Sequence, residues 1–293
     1  MKSGFVSIVG RPNVGKSTLL NSLLETKLAI TSNKAGTTRN LIQGIYRDED
    51  CQIVFVDTPG IHKPLNQLGN LLNRKAYEVT NDVDLILFLV DVSTGFGKGD
   101  EFILNRLKGT QTPVILILNK IDKIKKEQLL HVIDQLQHVF SFAEIVPVSA
   151  LTGDNVTHLL GVIKPYLTND GPLYDDETFT NISNNFYMSE IIREKVLRLT
   201  EKEVPHAVTC LIEHVEEKED VTYIQALIIV DRDNLKKIII GKHGQMLKEI
   251  GILARVDLEE YLHTKVYLEL FVKTVSNWRD RDKYLLEFGL KEE

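Results

Sequence analysis

Cysteine is scarce in this 293-residue sequence, and the two that occur, Cys51 and Cys210, are far apart. They lack the partner spacing of a metal site, and they do not form the kind of cysteine pattern that a disulfide framework requires. This usage fits a protein of the reducing cytoplasm.

Long apolar runs are also missing. Runs such as Leu85 to Val90 and Val114 to Leu118 fall far short of the roughly 20 residues that a membrane-spanning helix needs. An apolar alternation begins as early as Phe5, which leaves no room for the charged and apolar regions of a signal peptide. We therefore expect no membrane-spanning helix and no cleaved leader.

Positive charge is not in excess. The chain has 35 basic and 41 acidic residues, and residues 171–293 alone carry 17 basic against 24 acidic residues. The overall charge therefore gives no reason to propose nucleic-acid binding, and any such proposal must rest on a local site. The hydrophobic content of 43% is enough for a folded core, and the length favours two domains.

Two patterns follow one another along the chain. Short runs rich in Val, Ile and Phe alternate with helical-length segments up to about residue 165, which is typical of a parallel α/β sheet covered by helices. A region rich in Pro, Gly, Asp and Thr follows, and we interpret residues 168–185 as a linker. The remaining pattern of helix, two strands, two helices and a strand predicts a smaller α+β domain with a C-terminal helix. The predicted domains are 1–167 and 186–293.

The segment from Gly10 to Ser17 fits the pattern G-x-x-x-x-G-K-[ST] between the first predicted strand and helix. Gly10 and Gly15 allow a close backbone approach, so that successive N–H groups and the helix N-terminus can point at phosphate oxygens. Lys16 offers a positive charge for the β- and γ-phosphates, and the Ser17 hydroxyl can bind Mg²⁺. A plain glycine-containing turn is the alternative, but the position after a strand favours a phosphate-binding loop.

A second group of residues is suited to the metal and to the γ-phosphate. Asp57 ends a predicted strand, where open α/β sheets bind ligands, and can reach Mg²⁺ through a water molecule. Three residues later, Gly60 offers a backbone N–H that can contact a γ-phosphate and move when it leaves. The polar loop 31–40 is long enough to fold over a nucleotide, and it offers Thr38 as the second Mg²⁺ hydroxyl, with Thr37 as the next choice.

A third group selects the base. Asn119-Lys-Ile-Asp122 ends another predicted strand, and the Asp122 carboxylate can accept hydrogen bonds from both N1–H and the exocyclic amine of guanine. Adenine has no donors in that arrangement, so guanine is favoured. Ser149-Ala-Leu151 is a weaker signal that gains weight from its position, where a backbone N–H can reach guanine O6.

In this order, the motifs resemble those of translation-factor-related GTPases over about 165 residues. The resemblance implies a P-loop fold with a mixed six-stranded sheet and helices on both faces, Mg²⁺ as cofactor, and catalytic roles for Asn13, Lys16, Thr38 and Gly60. It implies GTP or GDP binding by Gly10, Arg11, Pro12, Asn13, Val14, Gly15, Lys16, Ser17, Thr18, Asp57, Thr58, Pro59, Gly60, Asn119, Lys120, Asp122, Ser149, Ala150 and Leu151.

One departure from related GTPases bears on mechanism. Ras-like enzymes follow the motif glycine with a glutamine that orients the attacking water, whereas this sequence has Ile61. An isoleucine side chain cannot hydrogen-bond to water, so we predict slow intrinsic hydrolysis that needs assistance. Related GTPases with an asparagine at the place of Asn13 use it to help hold a K⁺ ion, and a structural capping role is the alternative.

The second domain contains Gly241-Lys-His-Gly244, a G-x-x-G that has little value alone. Two predicted helices flank it, and the order of elements with IIIGKHGQMLKEIG at its centre resembles a type II KH domain, where this loop clamps single-stranded nucleic acid. Residues 232–248 have a local net charge of +4 inside an acidic domain. The resemblance implies RNA contacts by Lys236, Ile239, Ile240, Gly241, Lys242, His243, Gly244, Gln245 and Lys248; a solvated helix-turn-helix is the alternative.

A GTPase domain followed by one type II KH domain, over essentially the whole chain, resembles the Era-type ribosome-assembly GTPases of bacteria. That family implies 16S rRNA near its 3′ end as ligand, a role in 30S subunit assembly, a cytoplasmic monomer, and peripheral contact with the inner face of the cell membrane, for which these residues show no anchor. Two other functions stay open: a nucleotide-gated RNA-binding module with incidental hydrolysis, and a membrane or signalling GTPase whose second domain binds protein.

Overall fold

The computed structural model describes residues 1–291, which form two compact units. The first unit consists of Met1–Ala29, Thr38–Leu65 and Gly69–Asn181, and the second of Ile30–Thr37, Asn66–Leu68 and the chain from Ile182. Most of the polar loop predicted at 31–40 therefore belongs to the second unit. Residues 292 and 293, which the predicted second domain includes, lie outside the described residues.

The first unit is a mixed sheet with helices. Its elements are β1 (Lys2–Gly10), α1 (Lys16–Leu23), β2 (Ile42–Arg47), β3 (Cys51–Asp57), α2 (Gln67–Glu78), β4 (Leu85–Asp91), α3 (Lys98–Leu107), β5 (Val114–Asn119), α4 (Lys126–Leu136), β6 (Glu144–Val148), α5 (Val156–Ile163) and β7 (Asn169–Asp170). The strand order is β2-β3-β1-β4-β5-β6, and β7 pairs with the first residues of β1. Strands β2 and β7 run antiparallel to their partners, and the other neighbours are parallel. The predicted mixed six-stranded sheet is confirmed, with β7 added to it.

Strand β4 shows why this sheet is covered on both faces. All of its residues are buried, as expected for a central parallel strand. Phe88 packs on one side with Ile103 and Leu104 of α3. Side chains alternate along a strand, so the fully buried Leu87 points to the opposite face, where α1 packs with α5. The sheet is therefore covered by helices on both faces.

The predicted linker at 168–185 is wrong over most of its length. Residues 169–170 form β7, and the chain up to Asn181 belongs to the first unit. Gln52, fully buried on β3, accepts the N–H of Leu173 at 2.7 Å and of Tyr174 at 2.9 Å, and its own amide donates to the Tyr174 carbonyl at 2.8 Å. A buried amide must have partners, and the segment after β7 provides them.

The second unit has the predicted order of elements. They are α6 (Asn184–Leu199), β8 (Val208–Glu217), β9 (Val221–Val230), α7 (Asp233–Ile240), α8 (Gln245–Leu262), β10 (Lys265–Thr274) and α9 (Asp282–Glu287). The sheet order is β10-β9-β8, with β9 antiparallel to β8 and parallel to β10. Ile224 and Ile228 of β9 pack with Ile192 of α6 and Leu258 of α8 in one core. Throughout residues 1–291, no helix has the length and apolar composition needed to cross a membrane.

Candidate functional site

The glycine-rich loop between β1 and α1 has the closed shape expected of a phosphate-binding loop. Gly15 has φ 100, and a Cβ there would lie 2.3 Å from Nδ2 of Asn119, so only glycine fits. Asn13 also has a positive φ, of 65, which asparagine tolerates better than most residues. The Lys16 ammonium donates to the carbonyls of Gly10 at 3.2 Å and Arg11 at 3.0 Å, and so lies inside the loop.

Lys16 and Asp57 are buried together below this loop. Burial lowers the pKa of Lys16 to about 8, and the Asp57 carboxylate acts in the opposite direction. Burial likewise raises the pKa of Asp57, while Lys16 and the neighbouring hydroxyls lower it. Each group thus stabilises the charge of the other in a place that disfavours both.

Three oxygen-bearing side chains meet beside Lys16. The Ser17 hydroxyl donates to Asp57 Oδ2 at 2.6 Å and lies 2.8 Å from Thr38 Oγ1, which is itself 3.3 Å from Asp57 Oδ2. Asp57 Oδ1 is buried without a hydrogen-bond partner in the described protein. Thr37, the second choice from the sequence, donates instead to the Lys34 carbonyl at 2.7 Å. The predicted set of Ser17, Thr38 and Asp57 is brought together and suits a hard cation such as Mg²⁺.

The Asp57-to-Gly60 segment packs against the phosphate loop. A Cβ at Gly60 would lie 2.8 Å from Cα of Pro12, so the two backbones touch. The Thr58 hydroxyl is buried and donates to the Ile8 carbonyl of β1 at 2.7 Å. Ile61 is only 1% exposed and packs in the sheet core. The side chain that replaces the water-orienting glutamine therefore faces the interior.

The residues predicted to select the base are joined to the phosphate loop by hydrogen bonds. Asn119 Nδ2 donates to the Val14 carbonyl at 2.8 Å, and Asn119 Oδ1 accepts the N–H of Ala150 at 3.0 Å. The Ser149 hydroxyl donates to Asp122 Oδ1 at 2.6 Å and so orients that carboxylate. One side chain, Asn119, thus connects the loops that follow β1, β5 and β6.

Sequence reasoning missed Asp91. It ends β4 beside Asn119 in register and accepts a hydrogen bond from Lys120 Nζ at 2.5 Å, while the same ammonium donates to the Asn13 carbonyl at 2.7 Å. The rule that pointed to Asp57, a carboxylate at the end of a parallel strand, also applied to Asp91. The Leu151 side chain is 75% exposed, so the role predicted for the 149–151 segment rests on its backbone.

The G-x-x-G loop of the second unit is sharply turned. Gly241, His243 and Gly244 have φ of 74, 53 and 76, and a Cβ on Gly241 would lie 2.7 Å from Cβ of Met246. Lys242 and His243 project into solvent between the two glycines. Gln245 and Lys248 are also exposed, at the start of α8, so the predicted polar contacts are available to a ligand.

The side chain of Ile239, one of the predicted RNA contacts, faces the core rather than the surface. Ile239 is fully buried in the core of the second unit, because it lies one helical turn after Leu235 on the inward face of α7. Ile240 and Lys236 are half-buried, and Ile238 is exposed.

A groove of about 450 Å³ adjoins the G-x-x-G loop. Its walls come from α8 and β10, and its lining residues are Gly244, Leu247, Lys248, Gly251, Ile252, Arg255, Val266, Tyr267, Leu268 and Leu270. Ile252 and Tyr267 are about half exposed, so apolar surface there is open to a ligand. The sequence did hold a signal, since Lys248, Ile252 and Arg255 have the spacing of one helix face.

Comparison with known proteins follows the same division. A family model described as "50S ribosome-binding GTPase" matches residues 5–120, and one described as "KH domain" matches residues 203–279. The chain is similar to the crystal structure of Era in complex with MgGDPNP and nucleotides 1506–1542 of 16S ribosomal RNA, with 44% identity, 100% of both chains covered and a TM-score of 0.96. A tyrosine-to-alanine variant of Era from Aquifex aeolicus bound to GDP·AlF₄⁻ matches with the same identity, coverage and TM-score.

Proposed function

Because this chain belongs to the Era family of GTPases, we propose that it hydrolyses GTP to GDP and phosphate and binds 16S rRNA near its 3′ end through its KH domain. We further propose that the two activities serve assembly of the 30S ribosomal subunit. The observation that carries the catalytic part is the convergence of Ser17, Thr38 and Asp57 next to Lys16 in a loop that only glycine can close.

The protein can catalyse phosphoryl transfer largely by positioning the phosphates and stabilising their negative charge. The N–H groups of the phosphate loop and the Lys16 ammonium surround the β- and γ-phosphates, where negative charge spreads in the transition state. This ammonium donates to the carbonyls of Gly10 and Arg11, which phosphate oxygens can replace as partners. The Gly60 N–H, next to Pro12, is suited to sense the γ-phosphate.

Ser17, Thr38 and Asp57 would hold Mg²⁺, with Asp57 acting through a water molecule. The unpartnered Oδ1 of Asp57 and the two hydroxyls fit such a cation, since a buried carboxylate oxygen needs a donor or a metal-bound water. When bound, Mg²⁺ neutralises phosphate charge.

We propose that K⁺ assists hydrolysis at Asn13. Ile61 offers no hydrogen bond to water, so turnover needs another source of stabilisation. Asn13 is exposed at the mouth of the loop.

Turnover with Mg²⁺ is expected to be roughly ten- to a hundredfold faster in KCl than in NaCl of equal concentration. Asn13→Gly should remove that difference, because glycine adopts the positive φ of this position without supplying an amide. Steady-state phosphate release in the two salts measures both. Equal rates for the wild-type protein would rule out K⁺ assistance.

The KH loop and its groove support the RNA part of the proposal. The exposed Lys242 and His243 can contact phosphates, and the groove between α8 and β10 can take unstacked bases against Ile252 and Tyr267. The local net positive charge lies in residues 232–248, which suits a few phosphate contacts rather than binding over a broad basic surface.

Changing Lys242 and His243 together to Asp is expected to weaken binding of a 16S rRNA 3′ fragment by at least about tenfold, since two phosphate contacts become repulsive. Aspartate tolerates the positive φ of His243, so the loop should keep its shape. The matched control is Lys202→Asp with His206→Asp, an exposed pair outside the loop in which Lys202 has φ 57. Fluorescence anisotropy measures both variants.

Unchanged RNA binding in the loop variant would instead favour a second domain that binds protein. Single-turnover hydrolysis with and without the rRNA fragment tests the other alternative. No acceleration, together with RNA affinity that follows the nucleotide state, would favour a nucleotide-gated RNA-binding module. Cytoplasmic location, a monomeric state and peripheral membrane contact stay proposals from the family resemblance.

A further inference from the structure

The side chain of Arg11, a phosphate-loop residue, leaves the loop and reaches the start of α3. Its Nε donates to Asp100 Oδ1 at 2.8 Å, and its Nη2 donates to the Gly95 carbonyl at 3.0 Å. Asp100 is fully buried, and its other oxygen accepts the N–H of Gly97 at 2.9 Å. One buried carboxylate therefore joins the phosphate loop to the first turn of α3.

Helix α3 leaves room at Gly99 for the aliphatic part of the Arg11 side chain. A Cβ on Gly99 would lie 2.5 Å from Cδ and 3.2 Å from Cγ of Arg11. These are atoms in the middle of a side chain whose far end is fixed by Asp100, so they cannot move aside freely. The absence of a side chain at Gly99 is thus required by the position of Arg11.

The connection between β4 and α3 also holds the other side of the loop. Asp91, where this connection begins, accepts a hydrogen bond from Lys120 Nζ. The same ammonium donates to the Asn13 carbonyl at 2.7 Å. Asp100, just after its other end, binds Arg11. Two attachments from one connection therefore fix the loop on either side of Pro12.

We propose that Arg11 is a positioning residue for nucleotide binding, and that its ion pair with Asp100 keeps the phosphate loop in the shape that accepts phosphates. The Arg11 side chain acts through the backbone of the loop. The Arg11 carbonyl accepts a hydrogen bond from Lys16 Nζ at 3.0 Å, and the backbone N–H groups of the following residues are those that surround the phosphates. Without the ion pair the loop populates other shapes, and each departure from the binding shape lowers apparent affinity. This inference rests on the GTP binding proposed above.

The test compares release of a fluorescent GDP analogue from Arg11→Ala, Arg11→Lys and Gly99→Ala. Arg11→Ala leaves the buried Asp100 without its partner and is expected to lower stability, so Gly99→Ala, which displaces the stem but keeps both charges, is the deciding variant. Gly161→Ala is the matched control, since Gly161 also lies in a helix, α5, and no atom is within 4 Å of its Cβ position.

We expect release about tenfold faster in Gly99→Ala and Arg11→Ala, an intermediate rate in Arg11→Lys, and no change in Gly161→Ala. The single-turnover rate of fully loaded Gly99→Ala should change less than about threefold, because positioning acts on binding. Release within twofold of wild type in the folded Gly99→Ala protein would overturn the proposal, as would a lowered melting temperature with no change in release. A wild-type protein that binds no GTP would contradict the GTPase function itself.

Discussion

Asp122→Asn is expected to lower the affinity for GTP by at least about a hundredfold and to raise that for XTP. Asp122 is oriented by the Ser149 hydroxyl at 2.6 Å, which leaves carboxylate lone pairs to accept from the two donors of guanine. An asparagine presents its NH₂ to one of those donors, and the loss of an acceptor leaves a guanine N–H unpaired. Xanthine has a carbonyl where guanine has the amine, so it regains the hydrogen bond.

Competition with a fluorescent GDP analogue measures both affinities. Asp134→Asn, an exposed acidic residue on α4, is the control for loss of one charge in the same unit and should bind GTP as the wild type does. If Asp122→Asn binds GTP with wild-type affinity, the base site lies elsewhere.

Lys16→Met is expected to reduce GTP affinity by about a hundredfold and to remove its dependence on alkaline pH. In the free protein burial lowers the pKa of Lys16 to about 8. Bound phosphates favour the charged form, so the pKa of Lys16 rises on binding. At a pH where the lysine of the free protein is neutral, Lys16 therefore takes up a proton from solvent when GTP binds. Wild-type affinity should therefore be highest below pH 8 and fall about tenfold between pH 7 and pH 9.

Calorimetric titrations with GTP at pH 7, 8 and 9 measure this dependence. Methionine has a similar length and no charge, so the loop is expected to keep its packing around position 16. A pH slope that persists in Lys16→Met would assign the titration to another group.

The first unit was predictable because its signals are local. Strand β4 is a continuous apolar run, and the phosphate loop follows a strand and precedes a helix. Residues 169–181 escaped prediction because their order depends on Gln52, a polar residue on a distant strand whose burial is not visible in its neighbours. Tertiary hydrogen bonding overrode a composition typical of a linker.

The site was predictable where a motif assigns each residue a single chemical role. Lys16, Ser17, Asp57 and Thr38 meet as the motifs indicate. The ion pair of Arg11 with Asp100 was not visible in the sequence, because only the packed sheet brings Asp100 to the phosphate loop. The burial of Ile239 was not predictable for a related reason: three consecutive isoleucines do not reveal which one faces inward until the helix phase is known.

The close approach of Gly15 and Asn119 has a consequence for the inheritance of this site. Because the asparagine amide occupies the space of a missing Cβ and Gly15 has φ 100, any side chain at position 15 would displace the amide that joins three loops. Hybrid genes assembled from this protein and a distant homologue should thus tolerate a crossover between these positions only when the parent that supplies residue 15 has glycine there. In libraries of random recombinants, survivors should retain the glycine.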